Sequence, residues 1–294
     1  MNAKRYAVAC LAGHGIGPEV TAQATRALAA ASHLHGFVVD DLHVPFGSEA
    51  LVRFGHPFPL SSRRAVLEAD SVLLASADPD PLDVLEAELD LRASVARVRL
   101  DASHELSILA PLRAEAWEWT LERAFALART STAHVTVVSP ADDWSEVAAR
   151  HDGIEVEQIR TPDALRALLF TPERFDVVVC GAELASTTAE LAASGRRTAA
   201  WGRLAPAGPS VFGPTHGPDT EIAGQDAADP SSMLLAAALM LGEGLGERCA
   251  AATLAGAVGR AGRADGETRR HTDHVLDQLP LALANAEFYR GEAA

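Results

Sequence analysis

At 294 residues the chain is long enough for a full hydrophobic core, and because single cores stop growing near about 250 to 300 residues it is expected to form two lobes. Apolar residues make up 48% of it, which excludes a disordered chain, and a net charge of -15 excludes a nucleic-acid surface, since phosphates are neutralised by basic patches. No run reaches the roughly 18 apolar residues of a membrane span and MNAKRYAVACLAG shows no cleavage site, so a cytoplasmic protein with neither membrane nor nucleic-acid partner is expected.

Residue types narrow the chemistry further. Cys10, Cys180 and Cys249 lie too far apart for a disulfide framework or zinc knuckle, and their apolar neighbours predict buried, inert thiols. Lys4 is the only lysine, and Tyr6 and Tyr289 are the only tyrosines. A mechanism that needs a lysine or tyrosine from the middle of the chain is thereby excluded.

In chain order, Tyr6 to Leu11 reads as a strand, GHGIGPEV as a glycine turn, and Val20 to Leu34 as an alanine-rich helix. Pro18 suits the helix opening and Glu19 its positively polarised first turn. Such a turn binds a ligand or merely connects. Phe37 to Val44 and Val72 to Ala75 read as further strands with a helix around Arg63 to Ala69 between them, which predicts α/β architecture with parallel pairing. VPFGSEALVRFGHPFP and SADPDP read as loops at strand ends, where open α/β sheets hold ligands.

From Leu82 a helix to Ala93 is predicted, then a strand Val95 to Leu100 with Arg97 and Arg99 on one face, then an apolar run closed by Arg113. A helix over Glu115 to Ala128, strands His134 to Val138 and Glu155 to Ile159, helix Pro162 to Phe170, strand Phe175 to Cys180 and helix Leu184 to Ala193 complete a second α/β lobe. Trp201 to Pro214 reads as a loop-rich return, Gly242 to Gly262 as a small-residue helix, AGRADGETRR as a polar loop, and His274 to Phe288 as a final helix. Trp117, Trp119 and Trp144 read as core or interface, and Arg269, Arg270 and His271 as a surface patch.

Between them lies FGPTHGPDTEIAGQDAADPSSMLLAAALML, a glycine-rich acidic loop set directly against the longest apolar run. Asp229 suits an N-cap and Pro230 the first helical position, while Met233 to Leu241 is apolar on nearly every face and must be buried. The loop brings glycines for close backbone approach and an acid able to hold a ribose diol. A purely structural Ω-loop is the other reading.

Taken together, GHGIGPEV, VPFGSEALVRFGHPFP with VLLASA, PERFDVVVCGAEL and THGPDTEIAGQDAADPSSMLLAAALML resemble, in order, the motifs of the isocitrate and isopropylmalate dehydrogenase family. The resemblance implies a two-lobed α/β fold with a central cleft, here 1–95 plus 205–294 as a discontinuous cofactor-side domain and 96–204 as a second, dimer-forming one. It also implies NAD, Mg or Mn, a homodimer, and oxidation with decarboxylation of a 2-hydroxy acid.

Carried over by residue, the cofactor side is kept. Gly15, Ile16, His216, Gly217, Ile222, Ala223 and Gly224 match, Glu221 stands at the acid for the ribose 2'-hydroxyl and so favours NAD over NADP, and Asp229 replaces an asparagine. The reacting side is not kept. Pro140 falls at the catalytic lysine, Ser186 and Glu190 fall at two metal carboxylates with Asp163 a displaced third, and the tyrosine-bearing arm is missing, so Mg or Mn is not expected. Glu86 reverses the first carboxylate-gripping arginine, leaving Arg97 and Arg113 as candidates. His14 is drift or an acid-base group, with Asp142 and Glu190 as other candidates. Three readings stay open: a non-redox role that keeps the dinucleotide pocket, a metal-independent oxidoreductase on another small hydroxy compound, and a structural protein without cofactor.

Overall fold

The computed structural model describes residues 3–76, 82–101, 104–139, 144–194, 197–262, 264 and 266–291. The chain divides into two compact units, Met1–Asp90 with Ala200–Ala294, and Leu91–Ala199. The sequence-based domain limits fall at 95/96 and 204/205, five residues later at each crossing. No helix among the described residues is long and apolar enough to cross a membrane.

The first unit opens with β1 (Arg5–Leu11), α1 (Gly17–His35), β2 (Val38–His43), α2 (Gly47–Phe54), α3 (Leu60–Leu67), β3 (Ser71–Leu74) and α4 (Leu82–Glu88). The second unit contains β4 (Ala93–Arg99), β5 (Glu105–Pro111), α5 (Trp117–Ala128), β6 (His134–Ser139), α6 (Ser145–Ala148), β7 (Glu155–Arg160), α7 (Thr161–Phe170), β8 (Val177–Val179) and α8 (Ala185–Ala193). The chain then returns through β9 (Thr198–Leu204), β10 (Ser210–Pro214), α9 (Ser231–Leu239), α10 (Arg248–Ala261) and α11 (Thr268–Gly291).

In the first unit the strands lie in the order β2-β1-β3-β10-β9, parallel except for β10 against β9. Parallel pairing of the first three strands agrees with the strand-helix alternation. β1 and β3 are near-continuous buried runs, as parallel strands covered on both faces must be, whereas β2 is half-exposed. Helix α9 is buried along Met233 to Leu239 against α1 and α10, and α11 packs on α10 and α1. Its alanines permit close helix approach, and each buried leucine contributes about 1.5–3 kcal/mol.

The second unit runs β4-β5-β8-β6-β7, antiparallel only at β4–β5. Leu106, Ile108, Val138, Leu168, Phe175 and Val178 form the centre of its core beneath α7 and α8. Asp176 is buried at the start of β8 and is satisfied by Ser131 Oγ at 2.7 Å and Thr132 Oγ1 at 2.8 Å.

Several elements differ from their sequence-based expectation, each for a tertiary reason. The stretch read as a loop before Pro57 holds α2. Phe46 anchors it in the core while Leu51, Val52 and Phe54 stay exposed, and this apolar outer face hides the helical period. The helix expected to reach Ala93 stops at Glu88, because Ala93 enters a seven-residue antiparallel ladder with Pro111. The return through Trp201 to Pro214 is an antiparallel strand pair. The helix expected over Gly242 to Gly262 is broken: the end of α9 widens into a π segment, Met240–Gly244, and Tyr6 Oη donates to the Leu245 carbonyl at 3.0 Å before α10 starts. Cys249 is exposed, whereas burial pushes the thiols of Cys10 and Cys180 up to about 12 and about 11. His271 is buried rather than on a surface patch. Finally, α11 starts at Thr268, six residues before His274, because a distant loop caps it.

Candidate functional site

The site in the first unit is built where the turn after β1 meets the loop after β10. Strand β1 delivers Gly13 to Gly17 at its carboxyl end, and β10, on the other side of β3, delivers Thr215 to Pro230 at the same end. The two segments touch: Ile16 N–H donates to the Pro218 carbonyl at 2.7 Å. Gly15 makes this approach possible, since its φ is +63° and a Cβ there would lie 1.9 Å from Pro218 O.

The loop from Thr215 has no ladder of its own, so its backbone groups bond elsewhere. Gly224 N–H donates to Glu19 Oε2 at 3.0 Å, with Gly224 at φ +74°. The Asp226 carbonyl accepts Thr268 N–H at 2.9 Å and Asp226 Oδ1 accepts Arg269 N–H at 3.2 Å, which caps the start of α11. Thr268 Oγ1 donates to the Ala228 carbonyl at 2.7 Å. Asp229 Oδ1 accepts Ser231 N–H at 2.9 Å, but α9 starts at Ser231 with Pro230 at its N-cap, so Asp229 stands one residue before the cap position expected for it. Ser231 Oγ lies 3.0 Å from Nε2 of buried His271. Burial pushes the His271 imidazole below its ordinary value; the Asp229 charge opposes this shift and His274 adds to it.

His216 carries the most informative unpaired atom. Its Nδ1 lies 3.0 Å from the Gly217 carbonyl, which can only accept, so in the neutral ring Nδ1 holds the proton and Nε2 is the acceptor. That Nε2 is buried with no partner among the described residues. A ligand hydroxyl or amine is the group it lacks. Glu221 is exposed and its carboxylate has no partner among the described residues, Gly217 and Gly224 are exposed, and Ile222, Ala223 and Asp229 are half-buried. Behind the loop a cleft of about 670 Å³ is lined by Gly15, Glu19, Gln23, Gly224, Asp226 and Arg269. His14 stands half-buried in the glycine turn, its carbonyl accepting Gly17 N–H at 3.1 Å. The structure therefore brings together Gly15, Ile16, His216, Gly217, Glu221 to Gly224 and Asp229, with His14 beside them. Sequence reasoning missed Pro218, Asp226 and Thr268; nothing in Asp226 or its neighbours signals a helix more than forty residues on.

The remaining candidates belong to the second unit. Arg97 Nη1 donates to Glu105 Oε2 at 3.2 Å and Arg99 Nη1 reaches Glu105 Oε1 at 2.8 Å, the two sharing a face of β4 as the alternation predicts. Burial pushes the Glu105 carboxyl up, and the two guanidiniums outweigh it to leave a net lowering. Arg97 is thus committed to an internal carboxylate. Arg113 is exposed and donates from Nη2 to the Leu91 carbonyl at 3.2 Å. Glu190 is exposed on α8, and Asp142 lies outside the described residues, as does Pro140. Asp163 is held by Arg160 at 2.8 Å and Arg166 at 3.6 Å, and no three His, Cys, Asp or Glu side chains come together among the described residues. Glu86, in the first unit, is paired with Arg203 at 2.5 Å.

Comparison with known proteins supplies a family. The family model described as isocitrate/isopropylmalate dehydrogenase matches residues 107–273. Among curated relatives, the 3-isopropylmalate dehydrogenase of Salinibacter ruber is 31% identical over 85% of this chain and 85% of its own, and that of Prochlorococcus marinus is 29% identical over 87% and 91%. Among solved structures, a beta-decarboxylating dehydrogenase from Thermococcus kodakarensis in its apo form matches with a TM-score of 0.78 at 22% identity, covering 96% of this chain and 98% of that one. Isocitrate dehydrogenase from Methylococcus capsulatus matches with a TM-score of 0.72 at 19% identity over 93% and 99%. At these identities the two structures speak for the fold.

Proposed function

Because the chain belongs to the isocitrate/isopropylmalate dehydrogenase family, we propose that it binds NAD through the loop Thr215 to Pro230 and does not carry out the metal-dependent oxidative decarboxylation that the family resemblance implies. The observation that carries the first half is the Nε2 of His216, buried with no partner among the described residues, on the loop that also bears the exposed Glu221. An acceptor and a carboxylate along one loop suit a ribose with free hydroxyls, and the same carboxylate repels a 2'-phosphate. Bound NAD would supply a hydride acceptor. The chain's own residues would orient it: Gly15 by letting the backbone close in, Ile16 and Ala223 by apolar contact, and His216 and Glu221 by hydrogen bonds.

The second half rests on residue types. Lys4 is the only lysine, so no lysine base stands in the middle of the chain, and Asp163 already answers two arginines. Calorimetry tests the binding: NAD should bind and NADP should not, and Glu221→Arg should reverse the preference. Absence of heat with both nucleotides rejects the reading. Turnover of 3-isopropylmalate with NAD and Mg or Mn would reject the loss of decarboxylation.

One observation favours a second reading, a metal-independent NAD oxidoreductase on a small hydroxy compound. His14 lies in the turn that seats the loop, where an imidazole suits proton transfer near neutral pH. Arg97 is no carboxylate grip in that reading, because Glu105 already holds it. Turnover unchanged in His14→Ala removes the reading. The same family reading makes the protein a cytoplasmic homodimer with the alanine-rich α8 at the interface, which sedimentation at micromolar concentration checks.

A further inference from the structure

We propose that Glu19 is a positioning residue that sets dinucleotide affinity from outside the loop, by fixing the segment that carries Glu221; this rests on the dinucleotide reading above. The segment from Glu221 to Ala223 lies between two anchors. On one side Pro218 O is held by Ile16 N–H at 2.7 Å, and on the other Gly224 N–H is held by Glu19 Oε2 at 3.0 Å. The first anchor joins two main chains and is largely insensitive to side chains. The second depends on one carboxylate.

That carboxylate sits in the first turn of the nineteen-residue α1, at the positive end of the helix, and a bond from a backbone N–H to a carboxylate is stronger than one to a neutral acceptor. Gly224 can present its amide to Glu19 because its φ of +74° turns the chain back at that point, while its missing Cβ meets nothing within 4 Å. The loop beyond is fastened separately. Thr268 has one hydroxyl proton, which goes to the Ala228 carbonyl at 2.7 Å, so its 3.4 Å approach to Glu19 Oε1 is a contact rather than a second full bond. Residues 224 to 228 are therefore gripped from α1 by Glu19 and from α11 by Thr268 and Arg269 backbone amides. Removing Glu19 leaves the α11 grip intact, together with the bonds from Gln225 Nε2 to the Glu221 carbonyl at 2.7 Å and from Gln225 N–H to the Ile222 carbonyl at 3.1 Å, and takes from the stretch that bears Glu221 its tie to α1 on the Gly224 side.

The test compares wild type, Glu19→Ala and Glu19→Gln by calorimetry and by hydrogen exchange of peptides covering residues 215–230. Glu19→Ala should weaken NAD by about tenfold, the scale of one lost charge-assisted bond, and weaken AMP by the same factor while leaving nicotinamide mononucleotide unchanged. Exchange should quicken in residues 219–225 only, and Glu19→Gln, which keeps an acceptor oxygen, should restore most of the affinity. An affinity within twofold of wild type in Glu19→Ala overturns the proposal, as does a loss that glutamine does not relieve. If wild type itself binds no NAD, the dinucleotide reading fails while the exchange comparison still decides the anchor: unchanged exchange in Glu19→Ala refutes it. Should Glu19→Ala not fold, Thr268→Val removes instead the hydroxyl bond to the Ala228 carbonyl, leaving the two α11 backbone amides on Asp226 in place. It is expected to quicken exchange in residues 225–229 and leave 219–223 protected, and loss of protection at 219–223 would refute a separate Glu19 anchor.

Discussion

Gly15 and Gly224 are both left-handed, but for different physical reasons. Gly15 is constrained twice, by φ +63° and by the Pro218 carbonyl 1.9 Å from where a Cβ would stand, whereas Gly224 is constrained by φ alone. Gly15→Ala is therefore expected to cost about 2–4 kcal/mol and Gly224→Ala only about 1 kcal/mol, read from urea unfolding midpoints. His271 gives a pH prediction. Burial lowers its folded pKa below the ordinary imidazole value, so between the folded and unfolded values the unfolded chain holds more protons. Its contribution to stability is complete above the unfolded pKa and is lost as pH falls through it toward the folded one. The melting temperature should fall on acidification from pH 7 toward 5, and His271→Gln should flatten that part of the profile.

Elements here are held by partners distant in sequence more than by their own caps. The N-terminus of α11 uses the Asp226 carbonyl and carboxylate, and Asp226 itself has φ 55°, which asparagine tolerates and alanine resists. Asp226→Ala should cost about 1–2 kcal/mol through the lost cap and the strained backbone together, and Asp226→Asn much less, by thermal unfolding. Helix α9 depends on burial instead. Leu234 is fully buried, so Leu234→Ala should cost about 2–5 kcal/mol with no change in the loop bonds that precede it. In the second unit Glu105 unites Arg97 and Arg99, and its net-lowered pKa makes that contribution present at neutral pH and lost as pH falls below the ordinary carboxylate range.

The whole chain carries -15 charges with a sequence pI near 5.1, so self-repulsion keeps it dispersed at neutral pH. Turbidity measured across pH should show a solubility maximum above pH 7 and a minimum near pH 5. In the first unit residues 1–90 and 200–294 must combine to form its strands' pairing, because β10 pairs with β3. Cutting the chain between the units should therefore not release a folded N-terminal half.

Much of this was legible in the linear chain. The α/β alternation, the buried α9 and the family's ordered motifs follow from periodicity and residue type, which act locally and survive without a structure. The residue types of Gly15, His216 and Glu221 were legible as well, since their chemistry is carried where they stand. Local signals failed where the partner is remote or the period is masked: α2 behind exposed Leu51 and Val52, the π break beneath Tyr6, and the early start of α11 on Asp226. Only the fold could say that Arg97 already answers Glu105, that His216 holds a bare buried nitrogen, and that Glu19 grips Gly224. Those facts depend on which groups meet after the chain has closed, and a hydrogen bond between residues two hundred positions apart leaves no trace in the order of the residues.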